Sequence, residues 1–323
     1  MLTWLGGLVK VEHDMSKAQL QELQARFAAG RPNLDPSDLG AMRQGFEDML
    51  TQFPVAPGVT FEKVDLDGTP ARWCIPSGAR QGRMLLYLHG GGYMVGNSKA
   101  YGPLTSELAS RLKARVLIPD YRLAPENPYP AALDDAVRVY RWLLNHGVTA
   151  QSIAVAGDSC GGGLTVATMT AIRDAGLPLP LGAAIISPWA DMEVSSESFT
   201  SKAAEDQLLN SDGLRGMAGA YLGGAPPRTP GASPIYANLA GLPPLLIQVG
   251  STEVLLDDST RLAARAGTAG VKVRLDVWPG MFHVWHAYAS LLDEAAEALD
   301  DAAQFIERLF ATQKKQLSAG APA

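Results

Sequence analysis

Short, continuous runs of apolar residues, separated by stretches with helical spacing, restrict the fold of this chain more than any other feature. Six runs occupy residues 84–88, 116–119, 153–156, 183–186, 245–249 and 273–278. Runs without polar alternation are typical of strands that are buried on both faces of a parallel sheet. Their alternation with helical stretches at 104–112, 130–144, 164–175, 258–269 and 291–309 predicts an α/β fold, with a mostly parallel central sheet flanked by helices.

Two regions depart from this alternation. Residues 16–50 have helical spacing interrupted at Gly30-Arg31-Pro32, and residues 191–242 hold no strand pattern but helix-compatible pieces at 201–209 and 211–222. Between residues 59 and 75, two alternating segments flank Asp67-Gly68 and predict an antiparallel pair. Ligands bind beyond the carboxyl ends of parallel strands. We therefore expect one domain over residues 1–323, with a cap formed by about 1–50 and about 191–226.

Composition and charge narrow the expected partners. The net charge of −6 does not suit nucleic acid, which requires a basic face. Cys74 and Cys160 provide neither a disulfide framework nor a zinc-ligand cluster. No apolar run approaches the roughly 20 residues of a membrane span, and no secretory signal pattern is present. These features predict a cytoplasmic protein without a nucleic-acid partner and without a transmembrane segment.

The segment Gly157-Asp158-Ser159-Cys160-Gly161 follows one apolar run and precedes a helical stretch. This is the G-x-S-x-G nucleophile elbow in its strand–turn–helix context. Small residues on both sides allow a sharp turn that exposes the serine Oγ, and a helix N-terminus favours developing negative charge. Ser159 is the predicted nucleophile, and the alternative is a plain glycine-rich turn. Cys160 is excluded because an elbow centred on it would place Asp158 where a glycine is needed.

A second glycine-rich segment, His89-Gly90-Gly91-Gly92-Tyr93, follows the run 84–88 as an oxyanion-hole loop does. Acyl transfer places negative charge on the former carbonyl oxygen, and each backbone N–H donor that stabilises it contributes about 3–4 kcal/mol. The alternative, a phosphate-binding loop, would carry G-x-G-x-x-G or a Lys-Ser/Thr pair after the last glycine. This segment has neither pattern.

The chain has five histidines from which a general base could come. His283, in the loop after the last apolar run, fits the chain order serine, acid, histidine. His89 is expected to make a structural hydrogen bond in the glycine loop, and His286 to pack or to cap a helix. His13 and His146 lie in polar surroundings and are expected to face solvent.

Three carboxylates in the loop after the run 245–249 compete for the acid that orients the base. Glu253 lies nearest to the strand end and is preferred. Asp257 is the alternative, and Asp258 is expected to be a solvated residue that opens the next helix.

With these residues in place, the chain resembles the hormone-sensitive-lipase-like esterases, the bacterial family IV lipolytic enzymes, from about residue 84 to the closing helix. The resemblance rests on ordered motifs: His89-Gly90-Gly91-Gly92, residues 120–126 and 128–132, Gly157-Asp158-Ser159, Ser187-Pro188-Trp189 and residues 280–283. It implies an oxyanion hole formed by Gly91, Gly92 and Cys160, and a bracing role for residues 120–126.

Two departures from the family pattern matter. Cys160 stands where the family usually has alanine. Glu253-Val254-Leu255-Leu256-Asp257 stands where the family usually has Asp-Pro-Leu-x-Asp. Glutamate is one methylene longer than aspartate, so the backbone must retreat or the histidine must shift.

The resemblance implies a serine carboxylesterase that hydrolyses short- to medium-chain esters through an acyl-enzyme, with no metal or organic cofactor. Tyr93, Trp189, Phe199 and Phe282 are predicted to line the acyl site, and the alternative for each is core packing. A lactone or amide hydrolase would use the same triad, whereas a non-catalytic receptor on this fold would lack the base. Dimers are common in the resembled family, so the resemblance leaves a homodimer open, but no residue pattern in the sequence indicates an interface.

Overall fold

A computed structural model describes residues 17–25 and 38–319 of the chain. Its centre is an eight-stranded sheet with the strand order β1-β2-β4-β3-β5-β6-β7-β8. The strands are β1 (Val59–Asp65), β2 (Pro70–Pro76), β3 (Met84–Leu88), β4 (Arg115–Pro119), β5 (Ile153–Asp158), β6 (Ala183–Ile186), β7 (Leu245–Gly250) and β8 (Val273–Trp278).

The direction of the strands matches the prediction. The first two strands form an antiparallel pair, and β2 also pairs antiparallel with β4. From β4 to β8 all neighbouring strands are parallel, so their carboxyl ends meet at one edge. The expectation of burial on both faces holds for β3, β5, β6 and β7 but is wrong for β8, which is half-exposed because it forms an edge of the sheet.

Helices cover both faces of the sheet. They are α1 (17–25), α2 (Leu39–Thr51), α3 (Gly102–Leu112), α4 (Ala131–Asn145), α5 (Ser159–Asp174), α6 (Ser198–Ser201), α7 (Ser211–Leu222), α8 (Leu256–Thr268) and α9 (Asp293–Ala319). Alternate residues of β3 enter different hydrophobic clusters. Leu86 and Leu88 pack with residues of α4, α5 and α8, and Leu85 and Tyr87 pack with residues of α3 and α9. The sheet is therefore doubly wound, with helices on both faces, which agrees with the predicted sheet flanked by helices.

The insertion between β6 and β7 is less helical than expected. The helix predicted at 201–209 is wrong, because α6 ends at Ser201. The Asp206 carboxylate accepts the N–H groups of Leu208 and Leu209, both at 2.9 Å, and such local side-chain bonds compete with helical ones. The helix predicted at 211–222 is confirmed as α7, whose first turn is capped by the Asn210 side chain.

Two N-terminal helices lie against the segments that follow the strands. Gln19 of α1 contacts Asp293 at the start of α9. Arg43 of α2 forms a bidentate ion pair with Glu126 at 2.7 Å and donates to the carbonyl of Met94 at 2.9 Å. The remaining residues of the predicted N-terminal part of the cap, 1–16 and 26–37, lie outside the described residues.

Close approach of α5 to β3 requires glycine at two positions. A Cβ on Gly157 would lie 2.6 Å from the Leu88 carbonyl oxygen, and a Cβ on Gly161 would lie 2.1 Å from the same atom. Because these contacts involve backbone atoms, no side-chain rotation relieves them. The glycines on either side of Ser159 therefore allow the first turn of α5 to pack directly against the end of β3.

We predict that Gly161→Ala lowers the free energy of unfolding by about 3 kcal/mol or more, because the new methyl group overlaps backbone atoms of β3. Gly216→Ala is the matched control, since Gly216 is also helical, is exposed and has nothing within 4 Å of the added carbon. Denaturant unfolding should show equal or slightly greater stability for the control. Equal unfolding midpoints for the two variants would contradict this account of the elbow.

Candidate active site

Ser159 lies at the sharp turn between β5 and α5, at the carboxyl edge of the sheet. Its φ is +53°, in the left-handed region that non-glycine residues rarely adopt. The Trp189 N–H donates to the Ser159 carbonyl oxygen at 2.9 Å, which ties the turn to the segment after β6. The serine is the first residue of α5, so its side chain stands at the positive end of the helix dipole.

Backbone strain is concentrated around this edge. Seven non-glycine residues in the described chain have a left-handed φ, and four of them lie in segments that directly follow parallel strands: Tyr93 after β3, Ser159 after β5, Ser187 after β6 and Val284 after β8. Each such residue costs on the order of 1–3 kcal/mol and persists only where the surrounding structure enforces it. This clustering marks the carboxyl edge as the functional region.

The structure brings Glu253 and His283 together. Nδ1 of His283 lies 2.8 Å from Oε2 of Glu253, and both side chains are buried. The other carboxylate oxygen accepts the Ser187 hydroxyl at 2.7 Å and the Gly250 N–H at 2.6 Å. Glu253 is therefore a buried carboxylate whose two oxygens are both hydrogen-bonded, one of them to the predicted base.

Burial and the charge of Glu253 act on the pKa of His283 in opposite directions. Burial lowers the pKa of the His283 imidazole, but the hydrogen bond and the negative charge of Glu253 oppose this, and the pKa lies above the usual value for histidine. With Nδ1 bonded to a carboxylate, the proton of the neutral ring resides on Nδ1 and the lone pair on Nε2. The ring is thus arranged to accept a proton at Nε2.

The other two carboxylates of this loop have different partners. Asp257 accepts the Ser198 N–H at 2.9 Å. The expectation that Asp258 is solvated is wrong: it lies in the first turn of α8 as predicted but is fully buried, and it accepts the N–H groups of Ala190 and Asp191. Burial raises the pKa of Asp258 to about 7. Asp258 thus holds the segment after β6.

The glycine loop after β3 has the backbone that only glycine adopts easily. Gly91 has φ +112° and Gly92 has φ +62°. A Cβ on Gly91 would lie 2.2 Å from the Val95 carbonyl oxygen, and a Cβ on Gly92 would lie 2.2 Å from Sδ of Met217 in α7. The insertion therefore packs directly on the predicted oxyanion loop.

Cys160 connects this loop to the elbow. Its Sγ accepts the Tyr93 N–H at 3.2 Å, and the side chain is fully buried. Burial raises the pKa of the Cys160 thiol to about 12, so the sulfur stays protonated near neutral pH and is a poor nucleophile. Cys74 is also a free, buried thiol. The local packing role expected for the Cys160 side chain agrees with these contacts.

Asp158 and Ser187 are site residues whose roles the sequence did not reveal. The buried Asp158 carboxylate accepts the hydroxyls of Tyr87 and Tyr101 and the Gly90 N–H, each at 2.9 Å, and burial raises its pKa to about 6. It thereby fixes the glycine loop beside the elbow. Ser187 donates to Glu253 and accepts the Val284 N–H at 3.2 Å. The signal for Ser187 was its position directly after β6, the strand between those that precede the elbow and the acid.

The remaining histidines of the described chain have the roles expected for them. His89 is buried, its Nδ1 lies 2.8 Å from the Gly90 carbonyl oxygen, and its ring stacks on Tyr121, which donates to the His89 carbonyl oxygen at 2.6 Å. His286 is buried against Gln248 at 3.0 Å. His146 is exposed, and His13 lies outside the described residues.

The four aromatic residues predicted to line the acyl site are all buried in the hydrophobic clusters: Tyr93, Trp189, Phe199 and Phe282. The Tyr93 ring stacks on Tyr221 of α7 at a centroid distance of 3.6 Å, and the Trp189 indole donates to the Asp191 carbonyl oxygen at 3.1 Å. These contacts fit the alternative of core packing, and contact with an acyl chain stays a prediction.

A metal-binding cluster and a membrane-spanning helix are both absent from the described residues. No group of three or more His, Cys, Asp or Glu side chains among residues 17–25 and 38–319 could hold a metal ion. Within the same part of the chain, no helix combines the length and the apolar character needed to cross a membrane.

Comparison with known proteins agrees with this fold. Residues 85–287 match the family described as alpha/beta hydrolase fold. An acetyl-hydrolase of Streptomyces hygroscopicus is 48% identical over 253 residues, which cover 78% of this chain and 83% of that protein. An esterase of Acinetobacter venetianus is 35% identical over 278 residues, covering 86% and 90%. A solved esterase of the bacterial hormone-sensitive lipase family superposes with a TM-score of 0.88 at 42% identity, covering 91% and 98%.

A doubly wound sheet with a serine elbow, a glycine loop and a Glu–His pair at its carboxyl edge defines a hydrolase of the α/β-hydrolase fold. Within that fold the chain belongs to the hormone-sensitive-lipase-like esterases, as its motifs implied. The protein is a carboxylic ester hydrolase.

We predict that Ser187→Ala lowers kcat about tenfold with little change in KM. The variant removes the hydroxyl donor to one oxygen of the buried Glu253 carboxylate and the acceptor of the Val284 N–H, and an unsatisfied buried group costs about 1–3 kcal/mol. Steady-state hydrolysis of p-nitrophenyl butyrate measures the effect. Ser195→Ala, on a serine that bonds Asp191 at 2.9 Å instead, is the control. Unchanged kcat in the Ser187 variant would show that this hydroxyl does not support the acid.

Proposed function

We propose that the protein is a serine carboxylesterase that hydrolyses short- to medium-chain carboxylic esters through an acyl-enzyme, with Ser159 as nucleophile, His283 as base and Glu253 as acid. The observation that carries this proposal is the 2.8 Å bond between His283 Nδ1 and a buried, fully hydrogen-bonded Glu253 carboxylate. A structural histidine would not need a dedicated carboxylate at the edge where the elbow stands. An arrangement of this kind orients a general base.

Acylation begins when Nε2 of His283 takes the proton of the Ser159 hydroxyl. The serine oxygen attacks the ester carbonyl carbon, and the carbonyl oxygen becomes an oxyanion. The imidazolium that forms is stabilised by Glu253, which remains ionised. His283 then gives its proton to the alcohol as the C–O bond breaks, which leaves the acyl group on Ser159. In the second half of the reaction, His283 takes a proton from water, which attacks the acyl carbonyl carbon. His283 then returns the proton to Ser159 as the carboxylic acid product leaves.

The N–H groups of Gly91, Gly92 and Cys160 are the proposed oxyanion donors. The Gly90 N–H donates to Asp158 and the Tyr93 N–H donates to the Cys160 sulfur, which the Gly92 N–H also faces. Cys160 is the second residue of α5, where backbone N–H groups have no partner within the helix. Donors from a loop and from a helix N-terminus, both held by buried side chains, are in place before the charge develops.

The insertion 191–226, together with α1 and α2, is proposed to form a cap that limits the length of the acyl chain. Its support is the contact between Met217 of α7 and Gly92, and the stacking of Tyr221 on Tyr93. A cap that rests on the oxyanion loop restricts the space beside it, which favours a small acyl group. The name of the Streptomyces hygroscopicus relative, acetyl-hydrolase, also favours short acyl groups.

We predict that Ser159→Ala lowers kcat for ester hydrolysis by about 10⁵- to 10⁶-fold, because the nucleophile is removed while the fold stays intact. The assay uses p-nitrophenyl esters from acetate to palmitate and one lactone, with thermal melts as the folding control.

For the unmodified chain, kcat/KM should be highest with acetate to hexanoate. A fluorophosphonate probe should label it and not the variant. Retained turnover in Ser159→Ala would remove the assignment, and a preference for palmitate or for the lactone would correct the substrate class.

We predict that Glu253→Gln lowers kcat about 10²- to 10⁴-fold and moves the acidic limb of the pH profile to lower pH. The negative charge of Glu253 holds the pKa of His283 above its usual value, so activity falls as pH drops through that raised pKa. Removing the charge lowers the pKa and keeps the base neutral at lower pH. The control Asp257→Asn should stay within a few-fold of the unmodified enzyme. If the Asp257 variant were instead the crippled one, the acid would be Asp257.

A further inference from the structure

Asp206 belongs to the insertion, five residues after the end of α6, and its side chain is largely buried. One carboxylate oxygen accepts the N–H groups of Leu208 and Leu209 within the insertion. The other oxygen accepts the Val254 N–H at 2.9 Å. Because Val254 directly follows Glu253, a single carboxylate connects the insertion to the turn that carries the acid.

The insertion holds this turn at a second polar group. The Ser198 hydroxyl donates to the Val254 carbonyl oxygen at 2.6 Å and accepts the Asp257 N–H at 3.1 Å. The N–H and the carbonyl of Val254 are thus both bonded to side chains of the insertion. The peptide groups on either side of Val254, including the one it shares with Glu253, are thereby fixed in orientation.

We propose that Asp206 is a positioning residue for the acid and the base: its bond to Val254 sets the turn that aims Glu253 at His283, and its negative charge adds to that of Glu253 in stabilising the protonated imidazole. This proposal rests on the proposed triad and adds to it a residue from the insertion. The chemical step is unchanged, since Asp206 exchanges no proton and acts through its bond and its field.

The charged groups around His283 agree with this role. Burial lowers the pKa of His283, and the opposing negative charges are those of Glu253, Asp206 and Asp158, in that order of effect. These carboxylates come from the turn after β7, from the insertion and from the end of β5. His286 also faces this region, and its own pKa is lowered to about 3, first by burial and then by the charge of His283. The Asp206 charge therefore acts on the protonated imidazole in the same direction as the charge of Glu253.

Asp257 offers a comparison within the same turn. Its carboxylate accepts the Ser198 N–H, so it also connects the turn to the insertion. It lies in α8 and bonds a different backbone group from the one that Asp206 holds. Neutralising Asp257 should therefore leave the pH dependence of the base unchanged, whereas neutralising Asp206 should change it.

The experiment compares four variants of the full chain. Asp206→Asn removes the charge and disturbs the bond, because an amide offers one acceptor oxygen where the carboxylate uses two. Val254→Pro removes the N–H donor and leaves the Asp206 charge in place, but it also replaces a buried valine side chain and restricts the backbone of Glu253, so Asp206→Glu is measured beside it. Asp257→Asn is the control. For each variant, kcat and KM for p-nitrophenyl butyrate are measured from pH 5 to pH 9, with circular dichroism melts.

The two parts of the proposal give different results. Val254→Pro should lower kcat about three- to tenfold with KM and the acidic limb unchanged. Asp206→Asn should lower kcat to a similar extent and also raise the ratio of kcat/KM at pH 6 to that at pH 8 by about two- to fivefold, because the base stays neutral at lower pH. Asp257→Asn should leave that ratio unchanged. Asp206→Glu should behave as Val254→Pro does, since glutamate keeps the charge and displaces the bond, and it replaces Val254→Pro if that variant does not fold.

An unchanged pH ratio in Asp206→Asn, or an equal shift in Asp257→Asn, would overturn the role of the charge. Unchanged kcat in both Asp206→Asn and Val254→Pro would overturn the role of the bond. Neither result would affect the proposed triad, which is tested separately by Ser159→Ala and by the comparison of Glu253→Gln with Asp257→Asn.

Discussion

The buried carboxylate of Glu253 is the interaction on which the arrangement of the site depends. An ionised group without solvent is stable only when both oxygens are hydrogen-bonded and an opposite charge or dipole is near. Here the partners are the Gly250 N–H, the Ser187 hydroxyl and the His283 ring. They come from the ends of β7 and β6 and from the loop after β8. The parallel register, with Ile186 opposite Gln248 and Gly250 opposite Trp278, brings those three segments to one place.

This edge is also where the structure carries its strain. Left-handed backbone at Tyr93, Ser159, Ser187 and Val284 lies beside fully buried polar groups such as Asp158 and Glu253. Neither feature is favourable by itself, and both require a rigid frame. The two hydrophobic clusters supply that frame on opposite faces of the sheet. The core therefore does more than stabilise the fold, since it also fixes the hydrogen-bond donors and acceptors of this edge in one arrangement.

The strands and most helices could be predicted because each depends on a local pattern. Continuous apolar runs marked β3 to β8, and Asp67-Gly68 marked the first hairpin. The elbow and the glycine loop were predictable for the same reason, since glycine spacing dictates the backbone. Glu253 was preferred over Asp257 from its distance to the strand end, and the structure places it, and not Asp257, on His283.

What the sequence could not reveal depends on contacts between distant segments. A carboxylate in the first turn of a helix is usually exposed to solvent, which is the reason for the expectation about Asp258. The N–H groups that this buried carboxylate accepts belong to Ala190 and Asp191, 68 and 67 positions away in the sequence. The segment 201–209 has helical spacing, but the predicted helix does not form, because the Asp206 carboxylate accepts the N–H groups of Leu208 and Leu209 and that of the distant Val254. A polar residue that leaves its local pattern to meet a distant backbone group cannot be recognised from spacing alone.

The use of glutamate at the position of the proposed acid also depends on contacts between distant segments. A side chain one methylene longer than aspartate reaches His283 only if its carboxylate is turned back toward the strand end. The bond from the Gly250 N–H, three residues earlier, provides that turn, and Ser187 holds the same oxygen from the neighbouring strand. The backbone of the next residue is fixed by Asp206 and Ser198. Hydrogen bonds to the Glu253 carboxylate and to the backbone of Val254 therefore fix the longer side chain. Its extra rotatable bond does not change the orientation of the His283 ring.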